Sequence, residues 1–347
     1  MRRLSWHIWE ISLPLLLLTG ARARAEKFYV ADNRSGTIDV ISDSGLVSTY
    51  ASNVPGANGL ACDVEGNWYT LDLNHGRVYK IAKTGVVSIL ANGLRGPEAL
   101  AFNSRGDLYV ACMDGTVARV SRLGVVSTLA KGLGELYGLT IDADDNVYVS
   151  DHTAGTIFRI TKMGAVTTYA DANAGAGANT FSSGTLSIST GTLGSSGSLI
   201  LRSGVSGLGV LAMDAHGNLY AAAQNSNAIY KVEKSGAFTQ VAGGINSPAD
   251  MAFDSHGDLY VASSSSGMIY KVNSSGGLIG YAAGLGGPLG LAAEHPLYKL
   301  AAGLTAREPA TDTTPRMPVG YVIAFCAPAA VLVVAALVWV CMRKRPA

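Results

Sequence analysis

One position in each of six repeats carries the residues best suited to chemistry. In chain order it holds Asn58, Glu98, Tyr137, Gly209, Ala249 and Leu289. An amide, a carboxylate and a phenol in neighbouring copies can hydrogen-bond a ligand, and hard oxygen donors of this type suit Ca²⁺ or Mg²⁺. The remaining copies are Gly, Ala and Leu, so a ring built from this column is apolar on one side. A second acid recurs as Asp32, Asp72 and Asp151, each closing a Tyr-containing apolar run. Its return in three copies fits turn capping, and Asn58 and Glu98 can equally be bonded to loop backbone. The histidines are scattered: His75 and His152 fall in one class of loop, away from any common axis, and His216 and His256 in another. A three-histidine zinc site needs converging imidazoles, which two remote histidines do not supply.

The elements that position these residues follow from the repeat. Tyr29, Tyr69, Tyr109, Tyr148, Tyr220 and Tyr260 form one column, with spacings of 40, 40, 39, 72 and 40. Gly45, Gly85, Gly124, Gly164, Gly236 and Gly276 form another. A period near forty carrying four short strand patterns reads as a β-propeller blade. In the unit at residue 58, alternation and turn chemistry give strand A at Asn58–Asp63, B at Trp68–Asp72, C at Arg77–Ala82 and D at Val86–Ala91. Asp63-Val64-Glu65-Gly66-Asn67 makes the A–B turn; in the third full unit Asp145 stands where the others have Gly, at a left-handed position Asp tolerates. Residues 26–51 supply only B, C and D, whereas Leu289–Glu294 supplies a lone A. The expectation is an all-β, six-bladed propeller with a three-plus-one strand closure joining both ends. A–B and C–D turns then share one face, the bottom. B–C and D–A loops share the top, where the A strands begin.

The copies Pro97-Glu-Ala-Leu-Ala-Phe-Asn-Ser-Arg-Gly-Asp-Leu-Tyr-Val-Ala and Val147-Tyr-Val-Ser-Asp-His-Thr-Ala-Gly-Thr-Ile-Phe-Arg-Ile resemble NHL-type repeats. They are equally similar to SMP-30/gluconolactonase-like and streptogramin lyase-type propellers, over about residues 26–294. In lactonase-like relatives a calcium or zinc ion sits at the top of the channel, held by a carboxylate, two Asn and an Asp. The resemblance implies Glu98, Asn58 and Asp151 as the metal ligands here; the second Asn has no counterpart. A bound ion of that kind polarises a lactone carbonyl while an acid acts as base.

Outside the repeats, residues 1–25 read as a secretory signal, with Arg2 and Arg3 before an apolar Ile11–Leu18 and a small-x-small site at Ala23–Ala25. Residues 295–317 read as a polar, Pro-punctuated stalk. Residues 318–342 read as a transmembrane helix, its uncharged run Val319–Met342 spanning roughly 36 Å. Arg343, Lys344 and Arg345 follow, so 343–347 becomes a cytoplasmic tail and the bulk lies outside or in the lumen. A cleaved lipid-anchor signal is the alternative. Between these ends 19 cations face 24 acids, a formal balance of about −5 that offers no nucleic-acid footprint. Cys62 and Cys112 are expected as free buried thiols, and Cys341 as an acylation candidate at the inner membrane edge. Asn33 and Asn273 begin glycosylation sequons.

Residues 171–204 form a low-complexity Gly/Ser/Thr insertion in one D–A loop, read as a lid, a partner-binding loop or a tolerated surface loop. A degenerate seventh blade is a lesser alternative. The leading functional expectation is a type I membrane protein at the cell surface or in the secretory route. Its propeller binds a protein, glycan or small ligand at the top face. The alternative is a metal-dependent lactonase or other hydrolase.

Overall fold

The computed structural model describes residues 27–173, 205 and 207–294. The signal, stalk, membrane helix, tail, Cys341 and most of the insertion lie outside the described residues. Among those described, no helix is long and apolar enough to cross a membrane.

The chain starts in the first blade with β1 (Phe28–Asp32), β2 (Thr37–Ile41) and β3 (Val47–Ser52). The second blade is β4 (Ala57–Cys62), β5 (Trp68–Asp72), β6 (Arg77–Ile81) and β7 (Val87–Ala91). The third is β8 (Pro97–Phe102), β9 (Leu108–Cys112), β10 (Val117–Val120) and β11 (Val126–Ala130). The fourth is β12 (Leu136–Ile141), β13 (Val147–Asp151), β14 (Thr156–Ile160) and β15 (Val166–Asp171). The fifth is β16 (Leu208–Met213), β17 (Leu219–Ala223), β18 (Ala228–Val232) and β19 (Phe238–Gly243). The sixth is β20 (Pro248–Phe253), β21 (Leu259–Ser263), β22 (Met268–Val272) and β23 (Leu278–Ala282), after which β24 (Pro288–Ala293) returns to the first blade. Its sheet order is β24-β1-β2-β3, the three-plus-one closure that the strand count requires. The β24–β1 register pairs Phe28 with Ala293, and the Glu294 amide bonds the Lys27 carbonyl at 2.7 Å.

Each signpost residue joins blades. The tyrosine column holds the second position of every B strand, buried in all but Tyr220, which is half-buried. The Tyr69 ring meets Phe102 of the next blade at 4.9 Å and its hydroxyl donates to the Asp63 carboxylate at 2.9 Å. Tyr29 stacks on Trp68 at 4.2 Å, and Tyr220 meets Phe253 at 5.0 Å. Aromatic pairs of this geometry add to the area they bury. The glycine column occupies the C–D turns for two reasons at once. Gly124 has φ +79°, and a Cβ there would run into the Leu90 carbonyl of the preceding blade. Asp145 takes φ +65° without glycine, and its carboxylate accepts the Ser104 amide and hydroxyl, each at 2.9 Å, from the blade before. The apolar core is accordingly divided into clusters between successive blades, such as Leu71, Val78, Leu108 and Val110.

Candidate functional site

The column that contains Asn58 and Glu98 lies at or beside the break in each A strand's ladder; Asn58 itself pairs with Leu71, and the break follows it, before Ala61. Pairing of β8 with β9 runs from Pro97–Cys112 to Ala99–Ala111 and skips Glu98. Tyr137, Ala249 and Leu289 are skipped in the same way in their blades. A β-bulge re-aims the residues at the break, and here Asn58, Glu98, Tyr137, Ala249 and Leu289 line the central channel. That channel is a cavity of about 720 Å³, reaching from Leu73, Gln224 and Ser264 at the top to Asp63, Asp214 and Asp254 at the bottom. Cavities of several hundred Å³ with apolar walls and few polar groups are the usual size for small-ligand sites.

Two of the three expected ligands are brought together. Asn58 Nδ2 donates to Glu98 Oε2 at 2.6 Å. Burial pushes the Glu98 carboxyl up to about 6; the Asn58 hydrogen bond opposes this and the nearby Glu135 charge adds to it. Tyr137 completes this side, its hydroxyl also pushed up, chiefly by burial and then by the Glu135 and Glu98 charges. His152 is nearer the column than its loop implies: its ring stacks on Tyr137 at 4.3 Å, with Nδ1 3.1 Å from the Leu208 carbonyl.

Asp151 is engaged elsewhere. Its Oδ1 accepts the amides of Thr153 at 3.0 Å, Ala154 at 3.1 Å and Glu135 at 3.3 Å, and it is not among the channel-lining residues. Asp72 repeats the pattern with the Asn74 and His75 amides at 3.1 and 3.0 Å, and adds His75 Nδ1 at 2.8 Å. Asp32 takes Arg34 and Ser35 of its own loop and Gly286 and Gly287 of the preceding one. Asp151 and Asp32 thereby tie B–C loops to D–A loops, whereas Asp72 secures its own B–C loop. Among the described residues no group of three or more His, Cys, Asp or Glu is arranged to hold a metal ion. Asn58 and Glu98 alone provide two oxygen-bearing side chains, bonded to each other, which is short of the 6–8 oxygens calcium takes. Among the described residues these two side chains do not by themselves complete a calcium shell.

The remaining expectations fall as follows. His216 and His256 lie in A–B turns, where their amides bond Asp214 and Asp254 at 2.9 Å. Asn33 lies in a top loop; Asn273 opens the C–D turn of blade six, its Oδ1 accepting the Ser275 and Gly277 amides. Neither Cys62 nor Cys112 forms a disulfide among the described residues, but Cys62 is only half-buried because it ends β4 at the bottom rim. Cys112 is fully buried, and that burial pushes its thiol up to about 12.

One channel residue escaped the sequence reading. Asp250 follows the bulge in β20, in a column that otherwise holds Gly59, Ala99, Gly138, Val210 and Gly290. Its carboxylate accepts the Met251 amide at 2.8 Å and, across the blade seam, the Leu291 amide at 2.7 Å. Burial nonetheless pushes it up to about 7. The available signal was a lone charge in a column of small residues.

Comparison with known proteins agrees with this architecture. A family profile described as strictosidine synthase-like, N-terminal, matches residues 85–120. No curated protein matches the chain. Among solved structures, virginiamycin B lyase from Staphylococcus aureus superposes with a TM-score of 0.53 at 15% identity, over 75% of this chain and 84% of that one. A chain of a nidogen/laminin complex gives 0.61 at 13% identity, over 78% and 98%. A protein of unknown function from Bacteroides caccae gives 0.55 at 13%, also over 78% and 98%. The chain is a six-bladed β-propeller. The resemblance to NHL-type and SMP-30-like propellers is consistent with these findings, and the structural likeness is one of fold. Within this propeller the distinctive chemistry is confined to blades two to four at the top of the channel, with Asp250 opposite.

Proposed function

We propose that the propeller is a binding module, held outside the cell or in the secretory lumen by one membrane helix, whose channel mouth receives a protein, glycan or small ligand. The observation that carries this is the state of Asn58 and Glu98. They are bonded to each other beside Tyr137, facing an apolar wall of Ala249 and Leu289, and among the described residues no group of three or more His, Cys, Asp or Glu is arranged to hold an ion there. Such a mouth offers hydrogen bonds on one side and apolar contact on the other. Related folds are compatible with it: one solved neighbour is a nidogen/laminin complex, another a virginiamycin B lyase with quinupristin.

The alternative, a metal-dependent hydrolase, is favoured by the raised Glu98 carboxyl, which suits a general base near neutrality. Elemental analysis of the purified full chain after dialysis against metal-free buffer, followed by calcium titration, separates the two. The binding reading expects metal far below one equivalent and no turnover of a lactone panel. It also expects a glycan or small-molecule hit that Tyr137→Ala weakens about tenfold. One equivalent of calcium or zinc, lost in Glu98→Ala together with lactone hydrolysis, would establish the hydrolase instead.

A further inference from the structure

The exposed apolar side chains of the propeller are distributed unevenly between its faces. Leu46, Val86, Leu123, Val125 and Met163 project from the C–D turns of blades one to four, and Val64 from an A–B turn of blade two. All are at least half exposed, Leu123 and Met163 at 90% and 86%. Among the described residues the other exposed large apolar groups, Ile89, Val126, Val166 and Ile279, lie on outermost strands, and none lies in a top loop. The C–D turns of blades two to four carry exposed cations at Lys83, Arg122 and Lys162, as does that of blade five at Lys234, whereas that of blade one carries the exposed acid Asp43. None of the four cations has an ion pair among the described residues.

The chain leaves the propeller on this face too. An A strand runs from the top loops to the bottom turns, so β24 delivers Glu294 to the bottom, beside Lys27, where β1 starts. The residues that follow lead to the uncharged run Val319–Met342. Apolar tips flanked by cations are what an interfacial membrane contact presents, the first inserting among acyl chains and the second meeting phosphates. Exposed acids lie on the same face, Glu65 and Asp144 in A–B turns and Asp43 in the C–D turn of blade one. They limit the electrostatic share and leave the apolar tips as the main attraction.

We infer that the C–D turns of blades one to four dock on the phospholipid bilayer that anchors the chain, so that the channel mouth points away from the membrane. This rests on the membrane-anchored reading above. The anchor makes the contact intramolecular, so a patch too weak to hold a free protein suffices. Asn273, in the C–D turn of blade six, stays outside the patch and Asn33 is on the opposite face, so glycans at either site are compatible with docking.

The test is hydrogen exchange on the full chain in phosphatidylcholine/phosphatidylserine nanodiscs, against a Leu46→Ser, Leu123→Ser, Met163→Ser variant. These side chains are exposed, so the variant should keep the wild-type melting temperature. The expected result is C–D turn exchange in blades one to four about fivefold slower in wild type than in the variant, with B–C loops alike in both. Equal exchange in those turns overturns the docking while leaving the anchor intact. Protection found only in discs holding two copies assigns the patch to self-association. A chain that fails to enter discs overturns the anchoring itself, and the docking with it.

Discussion

Asp151 and Glu98 are both carboxylates at the top of the propeller, one ending a B strand and the other near the start of an A strand. Asp151 accepts three backbone amides, and its counterparts Asp32 and Asp72 accept four and two. Glu98 meets one side-chain amide, has no acidic counterpart at its position in any other blade, and is held up to about 6 by burial. The difference teaches how to read a repeat protein. An acid that returns at the same position in successive blades is part of the scaffold, because each blade has the same loops to secure. One that occurs once, on a bulge aimed at the channel, serves no blade and is free for a ligand.

That contrast can be broken by substitution. Asp151→Ala should have the largest effect, about 2–4 kcal/mol of stability, since it strands several amides of two loops. A chemical-denaturation midpoint close to wild type would remove Asp151 from the scaffold. Asp250 should act through pH, on a similar scale. Its folded value of about 7 lies above the ordinary 3.8, so the folded state holds the proton longer. Its contribution is present below about pH 4 and is lost as pH rises through 7, on the order of 4 kcal/mol for the full shift. Asp250→Asn should flatten that slope in thermal melts taken between pH 4 and 8. Glu98→Gln should cost under about 1 kcal/mol, because Asn58 keeps a partner, yet weaken a channel ligand about tenfold. A loss as large as that of Asp151→Ala would place Glu98 with the scaffold. The smallest change is Asn58→Ala: with the opposing hydrogen bond gone, the Glu98 carboxyl should titrate still higher, as read by carboxyl-carbon NMR.

Much of the architecture was legible because the repeat prints each element several times. The tyrosine and glycine columns fixed blade number, and the unmatched β24 pattern fixed the closure. Strand limits from alternation fell within about a residue of those observed, as for Trp68–Asp72. The site was less legible. Sequence spacing brought Asn58 and Glu98 to the same position of neighbouring blades, but it could not show that Asp151 turns to its own loop. Asp250 was missed for a related reason. Its partner, Leu291, is 41 residues away and in another sheet, and no period within one blade reports a bond between two. His152 was placed correctly by loop class, but its contact with Tyr137 depends on how blade four turns that ring.

The closure of β24 on β1 also has a consequence for biosynthesis. For as long as the chain is being made, β1 lacks its inner neighbour and keeps an open hydrogen-bonding edge; the partner it awaits is the last strand of the domain to be synthesised. Five blades can form as they emerge, whereas the first must wait for the end of the propeller, a closure between residues more than 250 positions apart. Such a long-range step is slow, and an open edge invites pairing with other chains. The nascent protein is therefore most exposed to mispairing just before its synthesis is complete, and a break in translation before Pro288 would leave a ring that cannot shut.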